Sequence, residues 1–396
     1  MRNTRVGILG SGSIAQNHFE AFARVAGVGV VAVASPTEAN VRAFARRNGI
    51  PRWFTDWRKL ADLPDVHVVS IGSPNFLHAA QAIACLGAGK HVICEKPLCL
   101  TLEEADAIIA AEKRNCKTLF YAENLCFVPK AVRFKEIVDA GGVGKPYLVK
   151  EWEKHAGPYS PWFFRREQAG GGAMMDMGCH AIEFCRWFMG KPRVRSVFAH
   201  CGLYLHEKIT KLDDNIVVIM EFENGAIAHV EASWALKGGM DSVAECCGTE
   251  GAICADLYRG TGIRCFSERG YSSGGQRRQG WHTPEYDTRF EHGYVGEMAH
   301  FVECIRTGGK PTEGTEDGRA VLEIMLAAYH SAGTGKRVAL PFRPEGVEYP
   351  VDLWLKARAT NRRPRVPRTS EGLSVCDGTP ASRDVRCQRQ SDAFAR

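Results

Sequence analysis

The run Gly10-Ser11-Gly12-Ser13-Ile14-Ala15 constrains this chain more than any other stretch, because of what flanks it. Before it stands Arg5 to Leu9, mostly apolar, as in a parallel strand covered on both faces. After it a helical pattern extends to about Ala26. In such a turn the first Gly permits the tight bend and the second lets backbone approach a pyrophosphate. The small third residue lets helix and strand pack closely. The helix start then offers unbonded N–H groups to phosphate oxygens. Gly10, Gly12, Ser13 and Ile14 are therefore expected to hold a dinucleotide. The competing reading is a glycine-rich turn in some other α/β protein.

The next strand, Gly29 to Ala34, should end in an acid that bonds the ribose 2′-hydroxyl. Ser35-Pro36-Thr37 stands there instead. An acid would repel a 2′-phosphate, and its absence removes that barrier. The hydroxyls of Ser35 and Thr37 suit either a ribose or a phosphate. Arg42, Arg46 and Arg47 follow on a helix that turns some of them to solvent. The expected cofactor is NAD or NADP, with no preference assigned.

Strands and helices then alternate through Val66–Ile71, Ala79–Leu86, His91–Cys94, helix 102–114 and Thr118–Tyr121. Nearly all-apolar strands in this rhythm mean a doubly wound parallel sheet, with its ligand at the strand carboxyl ends. Ser73, Pro74, Asn75 and His78 stand at one such end, Glu95 and Lys96 at a second, Glu123 and Asn124 at a third. Asn75 and His78 are expected to close on the cofactor, with helix capping as the other reading for His78. Glu123 and Asn124 are expected to seat the nicotinamide ribose or the substrate. Lys96 is held by Pro97 beside Glu95. In a partly dry cleft such an ammonium can lose its proton near neutral pH, which suits acid–base work; the competing reading is a surface Lys–Glu pair at a loop. Arg5, His67 and His91 read as structural.

From about residue 125 the rhythm changes. Strands are expected at Tyr147–Glu153, Val194–His200, Asp214–Glu223, Ala226–Trp234 and Asp241–Cys247, with Asn224-Gly225 as a hairpin turn. Residues 267–284, rich in Gly, Ser and Arg, read as a loop. This half is expected to be an open mixed or antiparallel sheet with helices on one side. Within it, Gly170-Gly171-Gly172 leads to Asp176 and His180, four apart and so on one helix face. Lys154, His155, Tyr159 and Trp162 either line a sugar pocket or pack one lobe on the other. Trp281, His282 and Tyr286 are weaker candidates, equally suited to an oligomer contact.

The division is thus 1–124 for dinucleotide binding, 125–356 for substrate binding and oligomerisation, and 357–396 as a disordered basic tail. That tail holds nine Arg against four acids, and so carries +5 of the net +6. The folded body therefore shows no nucleic-acid footprint. No apolar run reaches the roughly 18 residues of a membrane span, and no leader-like segment opens the chain. The fifteen cysteines are scattered, several within apolar runs, with no metal-site spacing. That usage fits a reducing, cytoplasmic setting. No metal is expected.

Together these residues resemble the Gfo/Idh/MocA family of nicotinamide-dependent oxidoreductases. The likeness rests on Gly10 to Ala15, Pro74-Asn75 with His78, Glu95-Lys96-Pro97, and the Gly-rich run leading to Asp176, Gly178 and His180. It extends over about residues 4–355. The missing acid after the second strand and the basic tail depart from it. The resemblance implies a Rossmann domain followed by an α/β domain whose large open sheet forms dimers or tetramers. It also implies a hydride moved between nicotinamide and a carbinol of a sugar, inositol or related polyol. His180 would be the general base, its ordinary pKa being near 6.5. Lys96 would bond the reacting oxygen, and Asp176 would anchor substrate hydroxyls and bias His180. Two rival functions share the fold. One is a redox-neutral enzyme that oxidises a sugar carbon transiently; the other is a non-catalytic sensor, which the presence of Lys96 and His180 disfavours.

Overall fold

The computed structural model describes residues 3–360, apart from 239, 259–261, 274 and 285–291. Residues 361–396, most of the expected tail, lie outside the described residues, as does Tyr286.

The first sheet has six strands: β1 (Thr4–Leu9), β2 (Val28–Ala34), β3 (Arg52–Phe54), β4 (Val68–Ile71), β5 (His91–Glu95) and β6 (Leu119–Ala122). Their order is β3-β2-β1-β4-β5-β6, all parallel. The strand order reverses between β1 and β4, and a crevice opens there at the carboxyl ends. Five helices accompany it: α1 (Ser13–Phe22), α2 (Glu38–Arg47), α3 (Trp57–Ala61), α4 (His78–Gly87) and α5 (Leu102–Asn115). Both faces are covered, which is why the strands read as continuous apolar runs. Val6, Ile8, Val68, Ile93 and Phe120 face one core with Phe22 and Phe44. Val69, Ile71, Val92, Cys94 and Tyr121 face the other.

The second half opens with α6 (Pro129–Asp139) and β7 (Pro146–Lys154), then α7 (Arg166–Ala169) and α8 (Cys179–Phe188). Strands β8 (Val194–Gly202), β9 (Asn215–Phe222), β10 (Ile227–Ser233), β11 (Asp241–Gly248), β12 (Gly251–Asp256), β13 (Ile263–Ser273) and β14 (Gln276–His282) follow. The chain continues through α9 (Tyr294–Thr307), α10 (Thr315–Thr334), β15 (Val338–Ala339) and α11 (Asp352–Thr360). Nine strands form one mixed sheet, ordered β14-β13-β12-β11-β7-β10-β9-β8-β15. Among the described residues of this sheet only β7 and β10 pair in parallel.

Two expectations are corrected here. Residues 267–284 are not a loop, since β13 and β14 pair through most of that span. The Gly, Ser and Arg content reflects an exposed edge hairpin that needs no apolar pattern. The tail does not begin at 357, because α11 runs to Thr360, packing along α10.

The later helices return to the first sheet. Met298, Phe301 and Val302 of α9 complete the core over β1, each buried ring or branched chain being worth about 2 kcal/mol. Helix α10 packs against α5 and β6. The described residues accordingly form one compact unit. The nine-stranded sheet covers α8 with one face. On the other, Phe198 pairs with Ile219 and Ile219 with His229, a row with both apolar side chains exposed. Among the described residues no helix is long and apolar enough to cross a membrane.

Candidate active site

A cavity of about 880 Å³ starts at the Gly10 turn and ends against the nine-stranded sheet. At its near end, Gly10 has φ +118, and a Cβ there would meet the Gly72 carbonyl at 2.6 Å. Only glycine serves. A Cβ on Gly12 would meet nothing within 4 Å, so open space abuts the start of α1, which has no side-chain cap. Unbonded N–H groups facing open space are what a pyrophosphate requires. Ser13 and Ile14 line the same space. Ser35 lines it too, accepting a hydrogen bond from the Ser11 hydroxyl at 2.9 Å. These residues fit a dinucleotide. Thr37 is exposed and does not line the cavity, because the chain turns outward at Pro36 to begin α2. Arg42 and Arg47 turn away as well, to Glu38 and Gln16.

In the middle of the cavity stand Ser73, Pro74, Asn75, Glu95 and Lys96. Asn75 donates to the Ala169 carbonyl at 2.9 Å, joining the first sheet's rim to α7. His78 does not line the cavity. Its two ring nitrogens reach the carbonyls of Pro97 and Ser73, each at 2.8 Å, so it ties together two loops that do. Glu95 accepts from His18 Nε2 at 2.8 Å, and His18 Nδ1 bonds Ser70 at 2.7 Å. His18 carried no sequence signal, being one histidine on the buried face of α1.

At the far end, Lys96 Nζ donates to the Asp176 carbonyl at 2.7 Å and to its Oδ1 at 3.1 Å. Burial alone would push the lysine toward neutrality, but Asp176, joined by Cys179, Glu95 and Glu153, outweighs it and raises the pKa above 10.5. Of the two states open to a lysine in such a cleft, Lys96 takes the charged one and stays an ammonium. Two of its three protons are taken, which leaves one for the cavity. Asp176 is itself held, with Oδ2 accepting from Trp234 Nε1 at 2.9 Å and standing 3.8 Å from His155 Nε2. Burial would raise its pKa, but Lys96 and His155 hold it well below the usual carboxylate range.

His180 lines the cavity from α8. Its Nδ1 lies 2.5 Å from Glu123 Oε1. With Nδ1–H donated to the carboxylate, Nε2 keeps a lone pair. Burial and the Lys96 charge lower the imidazole's pKa, but Glu123, aided by Glu153, overcomes them and moves it above 6.5. Glu123 was expected to seat the nicotinamide ribose or the substrate; it lies fully buried, bonded to His180. Asn124, expected beside it, donates to the His292 carbonyl at 2.9 Å and lines an adjoining chamber of about 790 Å³. His180 lines both spaces.

Asp176 turns to Lys96 and Trp234 while His180 turns to Glu123, and a π-helical turn, Met174–Gly178, leads into α8 where a regular helix was expected. Such turns recur at functional sites. Asp213, unremarked in the sequence, fixes it: its carboxylate accepts from the backbone N–H of Gly172 at 3.0 Å and of Met174 at 2.8 Å, and from Tyr329 at 2.7 Å. A Cβ on Gly172 would stand 1.8 Å from the Asp213 carbonyl. Gly172→Ala is accordingly expected to destabilise the fold by about 3 kcal/mol through overpacking, read as a lower denaturant midpoint; an unchanged midpoint would contradict this packing.

Of the sugar-pocket candidates, His155, Tyr159 and Trp162 line the cavity. Lys154 does not. Along β7, Val149, Glu151 and Glu153 point inward, so Lys154 faces the other side, where it pairs with Glu231. Trp281 is exposed on β14, and His282 bonds Tyr271 at 2.7 Å.

Comparison with known proteins agrees with this architecture. A sequence profile described as an oxidoreductase family with an NAD-binding Rossmann fold matches residues 4–123, and a GFO/IDH/MocA C-terminal domain profile matches residues 131–254. The chain is 29% identical to myo-inositol 2-dehydrogenase of Thermotoga maritima, over 85% of this chain and 98% of that one. It is 30% identical to scyllo-inositol 2-dehydrogenase (NAD(+)) of Bacillus subtilis, over 85% and 96%. The structure of a levoglucosan dehydrogenase in complex with NADH and L-sorbose superposes with a TM-score of 0.78 at 27% identity, over 86% of this chain and all of that one.

Proposed function

We propose, from the premise that this chain belongs to the GFO/IDH/MocA oxidoreductase family, that it moves a hydride between NAD or NADP and a carbinol of a sugar, inositol or related polyol. One observation carries the reading: a charged lysine from the first sheet's rim and a carboxylate-backed histidine from α8 line the same cavity that begins at the dinucleotide turn. The dinucleotide, when bound, supplies the hydride acceptor or donor. His180 Nε2 takes the alcohol proton, and Glu123 stabilises the imidazolium that forms. The remaining N–H of Lys96 bonds the same oxygen as negative charge builds on it. Asp176 is a positioning residue, holding Lys96 charged and aimed. His155 and Trp162 flank the substrate, the indole offering an apolar face to a sugar's C–H side.

The test is a panel of sugars, inositols and keto-sugars with each dinucleotide, followed at the reduced-nicotinamide band. The reading expects net reduction with at least one polyol. Product formed with no net change in that band would favour the redox-neutral chemistry instead.

Ser35, Pro36, Thr55 and Trp57 line the adenosine end, where neither an acid nor a base stands among the described lining residues. NADP is therefore expected to bind within about tenfold of NAD. Titration by fluorescence checks this, and a strong preference for NAD would remove the argument from Ser35. The exposed Phe198–Ile219 row supports pairing with a second copy across the sheet, as a homodimer or homotetramer. Light scattering on Phe198→Glu should then show a smaller species than the parent. The many buried cysteines support a reducing, cytoplasmic setting.

A further inference from the structure

Of the acids that line the cavity or the adjoining chamber, all but one have side-chain partners among the described residues; Glu297, also unpartnered, is buried behind the walls and lines neither space. Glu95 takes His18, Glu123 takes His180, and Asp176 takes Lys96 and Trp234. Glu153 points inward from β7 and makes no side-chain hydrogen bond or ion pair among the described residues. It is 5% exposed, and its Oε2 is buried with no partner. It lines both the dinucleotide cavity and the adjoining chamber, beside His180 in each. An unpartnered buried carboxylate costs free energy and calls for an explanation.

The chamber's other walls point to a cation. Tyr159, Tyr258 and Tyr294 line it with Glu153. Aromatic faces beside a carboxylate suit an ammonium group, which draws on both ring quadrupole and charge. Arg24 is also at this chamber, where its guanidinium donates to the Glu20 carbonyl at 3.0 Å. The reacting oxygen is already served by Lys96 and His180, so Glu153 is left for another substituent.

We propose that this chamber recognises an ammonium group on the substrate, an amino-sugar or an aminocyclitol, with Glu153 as its counter-charge. The inference rests on the dehydrogenase reading above and narrows its substrate class. Burial raises the Glu153 carboxyl above the usual carboxylate range in the free protein; His180 and Lys96 pull against it, and Glu123 and Asp176 add to it. A bound ammonium reverses that.

The experiment compares matched pairs, each a polyol and its amino-deoxy counterpart, by kcat/KM and by calorimetric binding to the dinucleotide-loaded protein. The amine of a pair is expected to be favoured by about 10- to 100-fold, as for hydrogen bonds to charged groups. Glu153→Gln should abolish that preference. A carboxyl whose folded pKa is raised costs stability once pH exceeds its unfolded value, so Glu153→Gln should also raise Tm at pH 8. A Tm that falls would mean that Glu153 is structural and would overturn the proposal. So would wild-type protein that binds both members of every pair equally, or a variant that weakens both equally. Amine-selective binding without turnover of any compound would leave this inference standing and sink the dehydrogenase reading alone.

Discussion

Lys96→Met is expected to lower kcat by about 10²–10³, the usual cost of losing a donor aimed at developing negative charge. The methionine keeps most of the volume and removes the charge. Dinucleotide binding should survive, because the turn at Gly10 and Gly12 lies elsewhere along the cavity. The loss should fall on kcat more than on KM, since the bond strengthens only as the alcohol oxygen gains charge. Lys96→Arg should not restore the rate. A planar guanidinium cannot reproduce the two bonds to the Asp176 carbonyl and carboxylate while aiming a third donor at the cavity. Asp176→Asn tests the same pair from the other side. Asp176 is the largest of the charges that hold the ammonium against burial, so its loss should let Lys96 titrate at lower pH. The rate would then fall on the alkaline side, where the parent enzyme stays flat. Full turnover by Lys96→Met would remove Lys96 from the mechanism.

His180→Asn should cost about 10²–10⁴ in the oxidation rate, as for other positioned acid–base groups. The pH profile identifies the group. The base must be neutral to accept the alcohol proton, and its pKa in the folded protein is above 6.5. Oxidation should therefore rise with pH through an inflection above 6.5 and then level off. The reverse reduction, which needs the imidazolium, should weaken over the same range. Glu123→Gln removes the charge that raises this pKa, so its inflection should move down. A structural role for Glu123 would lower the rate without moving the inflection.

Much of this was legible in the sequence, where chemistry and position coincide locally. Gly10 to Ala15 between an apolar run and a helical pattern specified β1, the turn and α1. Glu95-Lys96-Pro97 after an apolar strand placed the lysine at the rim. The partners were not legible, because they come from far along the chain: Glu123 for His180, Asp176 for Lys96, His18 for Glu95. Nothing local marks such pairs. Asp213 is hidden for the same reason, although Gly170-Gly171-Gly172 hinted at a crowded backbone. Lys154 was misplaced by a subtler effect. Strand β7 carries charged residues on both faces, Glu151 and Glu153 inward, Lys150 and Lys154 outward. Polarity alone therefore could not say which face meets the site. The edge hairpin of β13 and β14 escaped because an exposed edge carries little apolar alternation.

The most direct measurement is a crystal structure of the protein with dinucleotide and a turned-over polyol or its inert analogue. The account predicts one carbinol oxygen within about 3.2 Å of both Lys96 Nζ and His180 Nε2, its carbon facing the nicotinamide ring. An oxygen that reaches only one of the two groups, or a polyol bound away from both, would contradict it.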